Sequence, residues 1–587
     1  MSRILLVLFL TTVLFAAPAQ ADAPQADAPQ ASGETAWADT KAVSDLRLKD
    51  QDFPTASAAA VVFPSMEQAR VDAIRRENSA LTQKVLRIGI ERRVATEALS
   101  SRSLLTWRVL RDGGQTARIE VTSPGAVALR SGLDIAALPA GAELRFVGSD
   151  ASAGAVAVVG ADEIAQLRRV DPMYWTPVTE GERQTIEIFL PAGTNSRWVQ
   201  ASLHAVSHLF VSPQGSLALA KIGESQSCEI DAKCVTNPSA AYTAAKNAVA
   251  RMVFQTSGGS SLCTGTLLND TDTSTQTPHF FTAAHCFTSQ SVANTLTTFW
   301  FYEATSCGSG VLDASSRQVS GGATVQFASV ASDVLFLRLN NAPPAGANFL
   351  GWNAATLATG NEVLLLHHPA GDVKKVTLGQ VKGFGPSSLA SGNFVQAGYT
   401  DGTTEGGSSG CALLTLSANG YQLRGGLLGG SASCANTGTV STPDNSDDFS
   451  RFDQVFPSLQ AFLQPSTTPP PSSVDYTGAW SNPAQSGWGM VVIRGAGGAY
   501  AVNIYHYNES SIPIWFLSAG PLSGTSFSQP LLIFTGPWLG ITPFNPAAVT
   551  SRAAGTISLN FTSATTATLT FTADGRTVST TMTKLAF

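Results

Sequence analysis

A histidine, an aspartate and a serine follow one another along the chain in three short strings. These are Phe281-Thr282-Ala283-Ala284-His285-Cys286, Ser332-Asp333-Val334-Leu335-Phe336-Leu337 and Glu405-Gly406-Gly407-Ser408-Ser409-Gly410-Cys411. A hydroxyl is a poor nucleophile near neutral pH, so it needs an imidazole within hydrogen-bond reach to take its proton and return it to a leaving amine. His285 is the candidate base and Ser409 the candidate nucleophile. The imidazole in turn needs a carboxylate on its other nitrogen, and Asp333 stands at the head of an apolar run that reads as a buried strand. Glycines on both sides of Ser409 allow a tight turn in which the N–H groups of Gly407 and Ser409 converge on a developing oxyanion. Singly, each string has a plainer reading: a structural histidine, a turn-forming aspartate, a flexible Gly-Ser loop. Their joint occurrence in this order points to nucleophilic catalysis.

These residues need a rigid frame, and the composition favours a β one. Of 587 residues only 13% are charged and 52 are glycine, a balance that suits a β-rich extracellular chain of several domains. The net charge of -6 and the acidic pI near 5.7 leave no basic face for a phosphate backbone, which excludes nucleic acid as an expected partner. Arg3, the apolar run from Ile4 to Ala17 and the small residues Ala19-Gln20-Ala21 read as an export signal, residues 1–21, cut after Ala21. The run falls short of the ~20 residues that span a bilayer, and no other stretch is long and apolar enough, so no transmembrane segment is expected.

Composition then divides the remainder. Residues 22–92 read as a disordered leader, starting with a repeated Asp-Ala-Pro-Gln-Ala, and a short charged connecting segment of partly helical composition. Residues 93–221 carry short strands such as Thr106–Leu110, Ala117–Val121, Glu143–Val147 and Thr185–Leu190, punctuated by Gly and Pro, and read as a β-sandwich. Residues 222–463 hold all seven cysteines, an odd number whose pairing counting cannot assign. The Pro-, Ser- and Thr-rich stretch 464–474 reads as a linker, and 475–587 as a separate all-β domain, with alternation clearest from Thr566 to Thr572.

The central segment resembles the trypsin-like serine peptidases, and among them the bacterial lysyl endopeptidases. The likeness runs over 222–463 through Cys263-Thr264-Gly265-Thr266-Leu267-Leu268-Asn269, the Thr-Ala-Ala-His-Cys string, His367-His368-Pro369 and Thr404 to Gly410. It implies a mainly β chain: a two-barrel peptidase domain with the site at the barrel junction, flanked by an N-terminal β-sandwich and a C-terminal all-β domain. It implies a secreted serine endopeptidase acting on protein or peptide substrates through an acyl-enzyme, with His285 as base, Asp333 as its orienter, Ser409 as nucleophile and no cofactor. It also implies disulfides Cys228–Cys434, Cys234–Cys307 and Cys263–Cys286, which leaves Cys411 unpaired as a small buried filler. The alternative from another class is an inactive homologue serving as a secreted binding or adhesion protein.

For specificity, Thr403 stands where trypsin has its pocket aspartate, whereas Ser446-Asp447-Asp448-Phe449-Ser450-Arg451 resembles the stretch that supplies lysyl endopeptidases with a lysine-binding carboxylate. The likeness puts that role on Asp447 and implies cleavage after Lys or Arg, with Gly429 and Gly430 as pocket wall and strand edge; the rival reading is a solvated acidic loop. A different pocket would instead favour small or acidic residues. Leu428 replaces the family's imidazole and Phe449-Ser450 its Tyr-Gly, so the choice of Lys over Arg stays open. Lys221-Ile222, shortly before Cys228, lies near the place where family members are cut to release the mature enzyme.

The 93–221 region is similar to the propeptide of such secreted peptidases, which implies a role in folding and in holding a zymogen inactive. His204 and His208 are four apart, a spacing that on a helix could bring them together as metal ligands, but no third ligand accompanies them and no metal is expected. The C-terminal domain resembles a Trp- and Gly-rich β domain of exported bacterial proteins, and Trp480, Trp488 and Trp515, if exposed, would offer a glycan or cell-surface contact.

Overall fold

The computed structural model describes residues 28–36, 47–94, 105–150, 157–169, 171–211, 225–272, 274–386, 393–465, 474–495, 499–508, 510–522, 525–538, 540, 545–573 and 575–585. The expected export signal, the 466–473 part of the linker and Lys221-Ile222 lie outside them. The chain divides into two compact units, residues 1–465 and 466–587.

In the first unit the N-terminal strands pair into two facing sheets. One runs Ala157–Gly160, Glu143–Gly148, Arg183–Leu190, Gln115–Thr122, Ala59–Val62; the other runs Met173–Trp175, Ala128–Ala137, Gln200–Leu209, Gly89–Arg93. Alternate residues point inward, so Ile119, Val121, Leu144, Phe146, Ile186 and Ile188 meet Leu129, Leu133, Ile135, Leu203 and Val206 in one core. The sandwich therefore begins well before residue 93, because Ala59–Val62 lies parallel to Gln115–Thr122 and Gly89–Arg93 pairs with Gln200–Leu209.

The expectation of a disordered leader is likewise corrected for its described parts. Gln30–Ala31 pairs with Trp352 and Asn353, and Glu34–Thr35 with Asn348 and Phe349, so backbone hydrogen bonds to exposed strand edges order a stretch with little to bury. Farther on, the buried Glu187 carboxylate accepts from Lys49 N at 2.6 Å, Asp50 N at 3.3 Å and the Arg118 guanidinium at 2.9 Å, which pins 49–50 to the sandwich. The charged connecting segment folds as the helix Gln68–Ala80, with Val71 and Ile74 on its buried face.

His204 and His208 sit on the strand Gln200–Leu209, not on a helix. His204 is exposed beside Ser202 Oγ, and His208 is buried against Ser123 Oγ, so the two rings have separate partners and do not converge on a cation.

The following segment forms the two sheets of a two-barrel peptidase fold. The first runs Arg317–Val319, Thr297–Trp300, Val249–Thr256, Gly259–Leu268, His279–Thr282, Val334–Leu339, Ala323–Ser329. In the second, Gly420–Gly430, Ala412–Ser417, Glu362–His367, Lys375–Pro386, Asn393–Asp401 and Asp447–Phe449 follow in order, and the last pairs back onto the first to close a ring. Phe281 and Phe336 from the first sheet pack with Leu366, Leu414 and Leu423 from the second, and the helix Phe452–Leu463 caps this seam with Phe452, Phe456 and Leu459 against Trp352. Disulfides join Cys228 to Cys434, Cys234 to Cys307 and Cys263 to Cys286. Cys411 is free and buried among Leu365, Tyr399, Leu413 and Phe449, where loss of solvent pushes its thiol pKa up well above the usual range.

The second unit is a closed antiparallel barrel of eight strands, from Gly478–Ser481 to Arg576–Lys584, each paired with its neighbour in sequence. Alternation fills it: Leu569 and Phe571 point in, and Thr568 and Thr570 point out. Trp480 is core, fully buried with its indole N–H donating to Tyr476 O at 3.0 Å, which removes it from any surface; Trp488 is half-buried, and Trp515 is 44% exposed and stacked on Phe534. Among the described residues no helix is long and apolar enough to cross a membrane.

Candidate active site

Strand ends at the seam of the two sheets carry the three residues of the opening strings. His279–Thr282 delivers His285 one turn later, Val334–Leu339 starts at Asp333, and Ala412–Ser417 follows Ser409. Asp333 has a left-handed backbone, φ 52°, a conformation uncommon for a residue with a Cβ. It turns both carboxylate oxygens to one neighbour: Oδ1 accepts from His285 N and Oδ2 lies 2.8 Å from His285 Nδ1. An ionised carboxylate only accepts, so Nδ1 carries a proton and Nε2 is left to accept from Ser409 Oγ, 2.6 Å away.

The turn around Ser409 requires its glycines. At Gly410, φ 79°, an added Cβ would stand 2.1 Å from Thr282 Oγ1 and 2.7 Å from Thr264 O. At Gly407, φ 101°, it would stand 2.6 Å from His368 O. With no side chain at Gly407 or Gly410, the turn aims two N–H groups at one point: Gly407 N and Ser409 N both donate to the carbonyl oxygen of Lys84, at 2.5 and 3.2 Å. This backbone carbonyl comes from the segment between the helix Gln68–Ala80 and the sandwich strand Gly89–Arg93.

The flanking residues of that segment lie along strand edges. Gly430 N donates to Thr82 O at 3.1 Å, Gln83 forms an antiparallel bridge with Gly429, and Leu86 and Arg87 pair antiparallel with Leu262 and Ser261. Gly429 is left-handed, φ 139°, and a Cβ there would lie 2.2 Å from Thr82 O. The Lys84 ammonium donates to Thr404 O at 3.3 Å and Ala432 O at 3.1 Å.

Behind those two carbonyls sits Asp447, buried at 1% exposure, which is incompatible with a solvated acidic loop. Its oxygens accept from Thr404 Oγ1 at 2.5 Å, Tyr399 OH at 2.9 Å and Ala432 N at 3.3 Å. Burial pushes its carboxyl pKa up, while the Lys84 charge and these donors draw it back. Thr403 is buried, its carbonyl accepting from Thr377 Oγ1 and its own hydroxyl without a hydrogen-bond partner. Leu428 is buried beside Gly429.

Beneath the turn lies a chain that the sequence did not single out for this place. His367 Nδ1 lies 2.8 Å from Ser408 Oγ and Nε2 3.0 Å from Thr377 Oγ1, whose own proton goes to Thr403 O. Burial, then the Lys375 charge, lowers the His367 pKa to about 3, so the ring is neutral and fixes the residue before Ser409. The folded-state value lies below the unfolded one of about 6.5, so the folded protein binds fewer protons over that window. This contribution is complete above pH ~6.5 and is lost as pH falls toward 3. The Glu229 carboxyl, 3.8 Å from Nε2, is raised by burial and has the opposite slope. The expected result is that His367→Gln in a Ser409→Ala background loses less denaturant midpoint between pH 7.5 and 4.5 than the same background with His367; equal losses refute the assignment.

Lys84 and Tyr399 are the site residues missed from sequence; Thr404, His367 and Ser408 stand in strings that carry the family likeness but had no role assigned there. For Lys84 a signal existed: Thr82-Gln83-Lys84-Val85-Leu86 is a short extended-type stretch centred on a lysine, in a chain read as having an acidic pocket. Among the described residues no group of three His, Cys, Asp or Glu is arranged to hold a metal ion.

Residues 222–450 match the family profile described as lysyl endopeptidase, C-terminal domain, and residues 62–210 match the lysyl endopeptidase N-terminal domain. The chain is 35% identical over 390 residues to the lysyl endopeptidase of Pseudomonas aeruginosa, an alignment covering 65% of this chain and 82% of that protein. It is 29% identical over 198 residues to the secreted RxLR effector protein 73 of Plasmopara viticola, covering 32% of this chain and 46% of that one. Among solved structures, the active form of the Rv3671c protease from M. tuberculosis is similar at 18% identity and a TM-score of 0.27, over 39% of this chain and 86% of that one.

Proposed function

The chain belongs to the lysyl endopeptidase family, and on that footing we propose that it is a secreted serine endopeptidase that cleaves after Lys (or Arg) through an acyl-enzyme. Its standing as a serine peptidase follows from the family. The observation that carries the finer reading is the peptide carbonyl of Lys84 held by Gly407 N and Ser409 N beside Ser409 Oγ, itself 2.6 Å from His285 Nε2.

In this reading Ser409 Oγ attacks the scissile carbonyl as His285 Nε2 takes its proton, and Asp333 stabilises the imidazolium through Nδ1. The two N–H groups of Gly407 and Ser409 hold the tetrahedral oxyanion, a position where one donor is worth about 2.7–4 kcal/mol. Collapse expels the amine with the proton from His285, and water then releases the acyl group from Ser409 by the same steps in reverse. Preference for a cation rests on Asp447, on the Thr404 and Ala432 carbonyls in front of it and on the strand edge at Gly429 and Gly430, while Leu428 and Thr403 fill the pocket surroundings. A buried carboxylate without a cation is costly, and a basic side chain relieves that cost. Export rests on the 1–21 segment and on the three disulfides, which persist in an oxidising compartment.

The hydrogen bonds that join Ser409, His285 and Asp333, and the convergence of Gly407 N and Ser409 N, speak against the inactive-homologue alternative. A glycan contact of the C-terminal barrel now rests on the exposed Trp515 and no longer on Trp480. The reading is tested by hydrolysis of matched amide substrates that differ only in Lys, Arg or Ala before the scissile bond. Turnover confined to Lys and Arg supports it; a folded, processed sample that turns over none of them, or Ala as well as Lys, overturns it.

A further inference from the structure

The segment that fills the site does so as a substrate would. The carbonyl of Lys84 occupies the oxyanion position, its ammonium occupies the pocket in front of Asp447, and antiparallel pairing continues on both sides of the Ser409 hydroxyl, through Gly429 and Gly430 before Lys84 and through Leu262 and Ser261 after it. The site has made room for it: a Cβ on Gly429 would strike Thr82 O, and one on Gly406 would come within 3.1 Å of Leu86 Cδ1. Carbonyl, side chain and both strand edges are in register at once, which is the placement a scissile lysyl peptide needs.

We propose that the Lys84–Val85 peptide bond is a cleavage site of the enzyme in its own chain. The inference rests on the peptidase reading above and adds the bond and the residue that directs the cut. Ser409 Oγ bonds to the Lys84 carbonyl carbon and gives its proton to His285 Nε2. The bond from that carbon to Val85 N then breaks, and His285 returns the proton to the new amine of Val85. Water adds to the acyl carbon with its proton going to His285, Ser409 leaves and regains its hydrogen, and Lys84 ends as a carboxylate.

The surrounding contacts also determine whether the two pieces separate after the cut. Asn78, on the helix ahead of the bond, brackets Arg87 beyond it: Asn78 Nδ2 donates to Arg87 O at 2.8 Å, and Arg87 N donates to Asn78 Oδ1 at 3.1 Å. Arg87 also donates to Gly258 O at 2.6 Å, and Ile88 N to Ser260 O at 2.9 Å. Both new ends are held by contacts that do not include the broken bond, so the two pieces stay together under native conditions.

The test is a time course of the full chain, purified as wild type, Ser409→Ala and Lys84→Ala, read by intact mass and terminal sequencing in denaturant, with hydrolysis of an added lysyl amide followed in parallel. The expected wild-type result is a new amino terminus at Val85 and a carboxyl terminus at Lys84. It should form with a first-order rate constant that does not change over a tenfold range of protein concentration, and the pieces should co-elute in native buffer. Neither Ser409→Ala nor Lys84→Ala should show that pair of termini. Wild type that hydrolyses the added amide while Lys84–Val85 stays intact overturns this inference alone, as does a rate proportional to protein concentration or a cut that persists in Lys84→Ala. A folded wild type that neither hydrolyses the added amide nor forms the Val85 terminus overturns the peptidase reading and this inference with it.

Discussion

Ser409→Ala is expected to lower kcat on a lysyl amide by about 10⁶-fold, the loss that follows when the nucleophile of a cooperating serine–histidine pair is removed and only binding and oxyanion donors remain. The geometry gives the reason for so large an effect: Ser409 Oγ is the single hydroxyl within reach of His285 Nε2 among the described residues, and the other ring nitrogen is already committed to Asp333. Asp333→Asn should cost about 10⁴-fold with the fold intact. The aspartate accepts twice from His285, at the backbone N and at Nδ1. An asparagine has one acceptor oxygen for those two donors, and its amide N–H₂ placed at Nδ1 forces that nitrogen to accept. The proton then moves to Nε2, where it faces the Ser409 hydroxyl and leaves no base. Single-turnover rates on processed protein, with circular dichroism to verify folding, check both; a loss below tenfold in either variant would sink the assigned roles.

How much of this could be seen in the sequence depends on how local the cause is. The β architecture was legible because alternation and turn residues are short-range signals: Glu143–Gly148, Arg183–Leu190 and Thr566–Ala573 all fall where period-two patterns stand. The three strings of the site were legible as residue types in a fixed order, and the chain brings them within hydrogen-bond distance. The left-handed backbone of Asp333 and its double acceptance were not, since they depend on how strand Val334–Leu339 meets His279–Thr282 across 48 residues.

What was misread shares one cause, which is ordering by distant partners. Composition makes 28–36 and 47–92 look like leader and connector, but the groups that order them are the strand edges at 348–353 and the Glu187 carboxylate 137 residues away from Asp50. The His204–His208 spacing fits a helix face, and neighbouring strands override it. Trp480 could be core or surface as far as its glycine-rich stretch tells, and closure of the barrel decides it by turning its side of Gly478–Ser481 inward. Counting seven cysteines leaves the pairing undetermined; the bonded pairs span 206, 73 and 23 residues, distances over which spacing carries no information. Lys84 was hidden for the same reason, its partners Thr404 and Ala432 lying 320 and 348 residues along the chain.

Asp447→Asn should collapse the ratio of kcat/KM for Lys over Ala substrates by about 10³-fold, within the 2–5 kcal/mol range for removing one member of a buried charge interaction. The substitution suits the site without refolding it. Asn can keep its oxygen toward Ala432 N and place its amide against Tyr399 OH and Thr404 Oγ1, hydroxyls that rotate to accept where they now donate. The carbonyls of Thr404 and Ala432 still receive an ammonium, so a lysine still enters the pocket, but without a negative charge behind them the desolvated cation is uncompensated. Stability should move the other way. Burial raises the Asp447 pKa, so ionising it in the folded state opposes folding once pH exceeds the unfolded carboxyl value, and the amide has no such penalty. A variant that loses Lys preference yet unfolds no earlier at pH 8 is the signature of a pocket carboxylate. Equal losses on Lys and Ala substrates, together with an earlier unfolding midpoint, would instead make Asp447 a structural residue of the Asp447–Phe449 strand.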